Sequence, residues 1–165
     1  MVISFISIET SPVIQLHPQL AKSVIPSFLF RQYDLRVVDL RYNDLTRDVP
    51  TWLLDNNTKL EYLSFESNSL TGVLDFRSNS KHFHMLLLDF SSNCIHRELP
   101  PFIGSIFPRL EVLNLSGNAL QDWIGEFPSL VTLSLSSNHF DGVVPTGFCK
   151  LNELCFLDFL TTKLA

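Results

Sequence analysis

The 165-residue chain is short of basic residues: 12 Lys and Arg stand against 17 Asp and Glu, giving a formal net charge of -5 at pH 7. No basic face is available to neutralise a phosphate backbone, so nucleic acid is not an expected partner. No run of 18 consecutive apolar residues occurs, so no membrane span is expected within these residues. Cysteine is limited to Cys94, Cys149 and Cys155, which is too few for a disulfide scaffold and odd in number. At least one thiol therefore has no partner within the chain. Phosphate loop, dinucleotide fingerprint, kinase signature and G-x-S-x-G elbow are all missing. These absences point away from an enzyme and from a cofactor. The first ten residues are apolar from Met1 to Ile8, lack a basic flank and run into Glu9. They read as an N-terminal segment without a clear signal peptide.

What is present is a core-forming composition, 45% apolar with only 18% charged residues, and an internal repeat that organises it. Five segments align: LRVVDLRYNDL from Leu35, LEYLSFESNSL from Leu60, MLLLDFSSNCI from Met85, LEVLNLSGNAL from Leu110 and LVTLSLSSNHF from Leu130. Each fits L-x-x-L-x-L-x-x-N-x-L with conservative apolar exchanges. The asparagines fall at Asn43, Asn68, Asn93, Asn118 and Asn138, at spacings of 25, 25, 25 and 20 residues. A sixth copy starts at Leu154, with Thr162 where the asparagine belongs. A degenerate earlier copy uses Ser11, Ile14, Leu16, Gln19 and Ala21.

Within each copy the alternation Val38/Leu40, Leu63/Phe65, Leu88/Phe90, Leu113/Leu115, Leu133/Leu135 and Leu157/Phe159 is strand periodicity, with one face apolar. One such strand cannot bury that face alone, whereas stacked copies form a continuous core. The expected fold is an α/β solenoid, a right-handed superhelix with a parallel sheet on its concave side and an irregular or short-helical convex side. It occupies residues 11–165 in about six to seven repeats, the first and last degenerate. Each asparagine turns the chain out of its strand and can pair with backbone of its own and neighbouring turns, forming a structural ladder. The return segments carry Pro50, Pro100, Pro101, Pro108, Pro128 and Pro145, which suit extended or short helical turns.

The repeats resemble plant-type leucine-rich repeats, which continue as N-x-L-x-G-x-I-P. Phe140 to Pro145 matches that continuation best. Arg47 and Arg97 stand at the Gly position of two copies, whereas Leu70-Thr71-Gly72 keeps the Gly and loses the Pro. Ile25 to Leu40, Val49 to Leu63 and Phe107 to Gln121 further resemble the extracellular region of plant receptor-like proteins. That resemblance implies a recognition module for a peptide or protein ligand, at the extracellular face of the plasma membrane, in signalling or defence perception. It implies work through a co-receptor kinase, since receptors of this kind have no kinase domain. Two alternatives are a soluble inhibitor of a secreted cell-wall hydrolase and a truncated fragment without activity of its own.

Outward-facing strand positions are the candidate ligand contacts: Asp39, Arg41, Tyr42, Tyr62, Ser64, Glu66, Asp89 and Ser91. Each also has the plain reading of a solvated strand residue, since most interface positions contribute little energy. Asn56-Asn57-Thr58 and Asn114-Leu115-Ser116 match the glycosylation acceptor pattern. Asn56 lies in a return loop, and Asn114 on the strand face. His82, His84 and His96 lack a carboxylate or cysteine at a known ligand spacing and read as solvated return-segment residues, so no metal is expected. Cys155, beside strand residue Leu154, reads as a free, partly buried thiol.

Overall fold

The computed structural model describes residues 3–4, 13–16, 22–76, 81–122, 126–140, 148 and 151–159. In chain order its strands are β1 (Ile3–Ser4), β2 (Val13–Leu16), β3 (Lys22–Ser23), β4 (Val37–Asp39), β5 (Asp44–Asp48), β6 (Tyr62–Ser64), β7 (Ser69–Gly72), β8 (Leu87–Asp89), β9 (Cys94–Glu98), β10 (Val112–Asn114), β11 (Ala119–Asp122), β12 (Thr132–Ser134) and β13 (Phe156–Asp158). An eight-stranded sheet runs β1-β2-β4-β6-β8-β10-β12-β13. It is parallel throughout except for β1, which pairs antiparallel with β2. Each repeat contributes one strand to it, from β2 to β13, and β1 precedes the first of them. The register sets Ile14 beside Val38, and Leu157 beside Leu133. The degenerate first copy and the sixth copy therefore both take their places in the stack. Ser11, Gln19, Ala21 and Thr162 lie outside the described residues.

The apolar residues of the repeat form one core, with Val38, Leu63, Leu88, Leu113 and Leu133 all 1% exposed or less. Phe65 and Phe90 stack within it at 5.6 Å between ring centroids. Truncating one of these, as in Leu113→Ala, removes contacts worth about 2–5 kcal/mol.

The asparagine ladder is formed. Asn93 Nδ2 donates to the carbonyls of Phe90 and Ser91 in its own repeat and to that of Phe65 one repeat earlier, at 3.0, 3.0 and 2.9 Å. Its Oδ1 accepts the Leu70 N–H at 3.0 Å. Asn68, Asn118 and Asn138 make the same reach to the preceding repeat, through Leu40, Phe90 and Leu115 carbonyls and the N–H groups of Leu45, Ile95 and Leu120. Asn43 bonds the carbonyls of Leu40 and Arg41. The residue before each asparagine (Tyr42, Ser67, Ser92, Gly117 and Ser137) has φ between 54 and 64°. That left-handed step turns the chain out of the strand.

The return side differs from the expectation in one respect. After Asn43, Asn68, Asn93 and Asn118 the chain forms a second parallel sheet, β11-β9-β7-β5-β3, in which β3 belongs to the degenerate first copy. Leu45, Leu70, Ile95 and Leu120 anchor it in the core, while flanking residues such as Asp44 and Thr46 are exposed. The alternation covers only about three residues per repeat, too short to stand out from a turn by periodicity. Beyond this sheet the prolines are followed by short helices: a 3-10 helix over Ser27–Arg31, α1 (Trp52–Asn56) and α2 (Ile103–Ile106).

Candidate functional site

The outward side chains of the larger sheet form columns, because parallel strands in register place equivalent residues side by side roughly 4.8 Å apart. One column is Val37, Tyr62, Leu87, Val112, Thr132 and Phe156. Its members are half-buried, apart from Phe156, which is exposed. The neighbouring column is Asp39, Ser64, Asp89, Asn114, Ser134 and Asp158, entirely polar. Along this face a largely apolar stripe, interrupted by Thr132, therefore runs beside a polar one across six repeats.

The polar column is internally bonded. Asp39 accepts the Arg41 N–H, Ser64 the Glu66 N–H, Asp89 the Ser91 N–H and Asn114 the Ser116 N–H. These local turns cap the strand ends. Rungs also connect repeats: Gln15 Nε2 donates to Asp39 at 3.3 Å and Asn114 Nδ2 to Asp89 at 3.2 Å. Ser134 and Ser136 both donate to Asp158 Oδ2. Asp39, Ser64 and Ser91 consequently expose 5% or less and serve the scaffold.

At the β4–β6 end, Arg41 reaches back to Asp39, with Nη2 2.8 Å from Oδ2, and lies 3.9 Å from Glu66 Oε2. Glu66 Oε1 in turn accepts the Tyr42 hydroxyl at 2.7 Å. The bond to Asp39 holds Arg41 firmly in its charged form. The bond to Glu66 raises the Tyr42 phenol above its ordinary range, and burial does the same for Tyr62, opposed by nearby Arg41. Arg41, Tyr42, Tyr62 and Glu66 thus form one accessible patch. Four of the eight candidate residues present usable surface there, and Asp89, half-buried, adds a fifth.

The acceptor sequences separate on geometry. Asn114 is engaged on both amide atoms, its Oδ1 taking the Ser116 hydroxyl at 2.8 Å. Asn56 is half-buried at the end of α1, with Thr58 exposed beyond it. The intervening Asn57 is fully buried, accepting the Leu35 N–H at 3.0 Å and donating to the Leu53 carbonyl at 2.9 Å. Sequence reasoning missed this second structural asparagine because it recurs in no other repeat. Two further expectations are corrected. His82 is not solvated: it is 1% exposed, packed 5.5 Å from the Phe107 ring. Cys155 is an exposed thiol, as is Cys94, while Cys149 lies outside the described residues. Glu153 and Phe156 nearby are also exposed, while Leu154 between them packs against the core. Among the described residues no group of three His, Cys, Asp or Glu is placed to hold a metal ion.

Stacked parallel strands, an asparagine ladder and a two-column outward face define a leucine-rich-repeat solenoid. The family model "Leucine Rich Repeat" matches residues 109–130 and 129–151. Within that class the chain is similar to plant receptor-like proteins. It is 40% identical to Receptor like protein 21 of Arabidopsis thaliana over 75% of this chain, and 42% identical to Receptor-like protein 14 of the same plant over 81%. The chain spans only 13% and 11% of the lengths of these two relatives. Among solved structures it superposes on the Arabidopsis receptor kinase HAESA, in complex with the peptide hormone IDA and the co-receptor SERK1. The TM-score is 0.62 at 25% identity, covering 91% of this chain and 24% of that one.

Proposed function

We propose that the strand face recognises an extended peptide or protein segment, as part of the ligand-sensing region of a plant cell-surface receptor-like protein that signals with a co-receptor kinase. The observation that carries this is the pairing of a largely apolar column with a polar one, with the Arg41–Tyr42–Tyr62–Glu66 patch at one end. An extended segment laid across the strands would meet apolar contacts on one side and, on the other, the partly exposed polar side chains of Asp89, Asn114, Ser134 and Asp158. Half-buried Tyr62 offers large contact area at small entropic cost, and Arg41 and Glu66 offer charge-assisted bonds of both signs. The similarity to receptor-like proteins, and the peptide and co-receptor bound to HAESA, support the assignment of partner class and of an extracellular location.

The test is titration of the chain with a panel of secreted plant peptides. For a peptide that binds, Tyr62→Ala or Glu66→Ala should weaken affinity by roughly tenfold or more, about 1.4 kcal/mol. Phe102→Ala, on the opposite side of the coil, should leave it unchanged. Affinity indifferent to every strand-face substitution rules the proposal out.

A further inference from the structure

The return side of the first two coils carries a pair of aromatic rings at the surface. Phe30, in the 3-10 helix, stacks on Trp52 at the start of α1, with ring centroids 4.1 Å apart and planes at 20°. Leu29 and Leu53 beside them are fully buried and fix both helices in the core. Phe30 is nevertheless 51% exposed, and Trp52 is half-buried. The pair leaves apolar area in water that no described residue covers.

Asn56 follows Trp52 by four residues on α1. Side chains at that spacing share a helix face, about 5–6 Å apart at Cβ, and lean toward the helix N-terminus. Asn56 therefore projects over the turn that carries Trp52. Its amide makes no hydrogen bond among the described residues, and neither amide atom is shut off from solvent. Asn57, by contrast, is fully buried and holds the Leu35 N–H and the Leu53 carbonyl, which fixes the end of α1. Thr58 is exposed and completes the acceptor triplet. The other triplet lacks these features: the Asn114 amide is engaged with Asp89 and Ser116, and Leu115 inside the triplet is fully buried.

We propose that Asn56 is N-glycosylated and that the first sugar of its glycan packs on the Trp52–Phe30 pair, an inference that rests on the extracellular location proposed above. The donor is a polyprenyl-diphosphate-linked oligosaccharide supplied by the secreting cell. The bond from Asn56 Nδ2 to C1 of the sugar forms as the bond from C1 to the diphosphate oxygen breaks. The amide nitrogen gives up one proton, and the lipid diphosphate leaves. The triplet is read in extended chain, so the glycan is attached before α1 winds, and folding must then leave it outside the core. The unbonded amide of Asn56 allows that. An N-acetylhexosamine presents C–H groups and an acetamido methyl, which the negative face of an aromatic ring attracts. Attachment one helical turn away holds the sugar at high effective concentration, so a weak contact is enough to seat it.

The test secretes the full chain from plant cells behind a cleavable signal peptide. Mass spectrometry of the tryptic segment 48–59 should show an N-acetylhexosamine core on Asn56, absent from Thr58→Ala. With the glycan trimmed to its first sugar, NMR should show Overhauser contacts between the acetamido methyl and the Trp52 indole protons. The glycosylated chain should melt about 2–4 °C above Thr58→Ala. Phe30→Ala, a change at an exposed position, should cut that gain by half or more. Tyr62→Ala should leave both glycan and gain as they are, and the supplied signal removes any dependence on the native location. Failure here is thus distinct from failure of the strand-face reading. An unmodified Asn56 in the folded secreted chain, no contact between sugar and indole, or a full gain in Phe30→Ala overturns the proposal.

Discussion

Arg47 and Arg97 occupy the position that Gly72 holds in the repeat between them, and all three have left-handed backbone, at φ 83, 70 and 89°. An L side chain in that region crowds its own carbonyl, at a cost of about 1–2 kcal/mol. The second sheet imposes the conformation, since β5 and β9 must end in the turn that leads to Val49-Pro50 and Leu99-Pro100. Arg47→Gly should therefore stabilise the chain by about 1 kcal/mol, the extra freedom of glycine in the unfolded state offsetting part of the relief. Urea denaturation of the single variant measures this, and a loss of stability would contradict the strain. His82 makes a second prediction. Burial lowers its pKa from 6.5, with Asp55 opposing. As pH falls through about 6.5 the unfolded chain binds the proton before the folded one, so stability is lost below that value. His82→Phe should flatten this part of the stability–pH curve, as read from melting temperatures between pH 5 and pH 7.5, chosen to bracket the ordinary histidine range.

Between elements, the spacing of the asparagines determines how closely the returns approach one another. The repeat from Leu110 is five residues shorter than those before it, 20 against 25. Its return segment consequently lies against α2 of the preceding repeat. A Cβ built on Gly104 would sit 1.5 Å from the Glu126 carbonyl oxygen and 3.1 Å from Phe127 Cα. Both obstacles are backbone, so neither can swing away. Gly104→Ala should destabilise the chain by about 3 kcal/mol or more, and a loss below about 1 kcal/mol would show that the two returns separate freely. The equivalent position two coils earlier holds Leu54, a buried core side chain, so the close approach at Gly104 belongs to the shortened repeat.

Over the whole molecule, each coil covers the apolar face of its neighbour, and the quality of that cover varies along the stack. Leu133 in β12 is fully buried, whereas Leu157, its register partner in β13, is 42% exposed and the adjacent Phe156 is 56% exposed. Phe159 is held on one side by Phe140 and Phe148, with ring centroids 5.1 and 5.4 Å away. The outer edge of β13 has no strand partner among the described residues. Exposed apolar strand edges template association. The 165-residue chain should self-associate at micromolar concentrations, with Phe156→Lys/Leu157→Lys shifting it toward monomer in sedimentation velocity. A wild-type chain that stays monomeric would refute this.

The L-x-x-L-x-L-x-x-N-x-L spacing by itself determined the solenoid, the inward set of Leu and Phe, and the asparagine ladder, because each rests on a local period repeated in register. It also named the outward columns, since side-chain direction in a strand alternates. Other features were decided only when coils were stacked. The second sheet needs partners from adjacent repeats to exist at all. Asp39, Ser64 and Ser91 lie on the outward face, yet they are buried in the stack. Burial of His82 and Asn57 arises where one coil differs from the next, and only packing converts such a difference into a buried polar group.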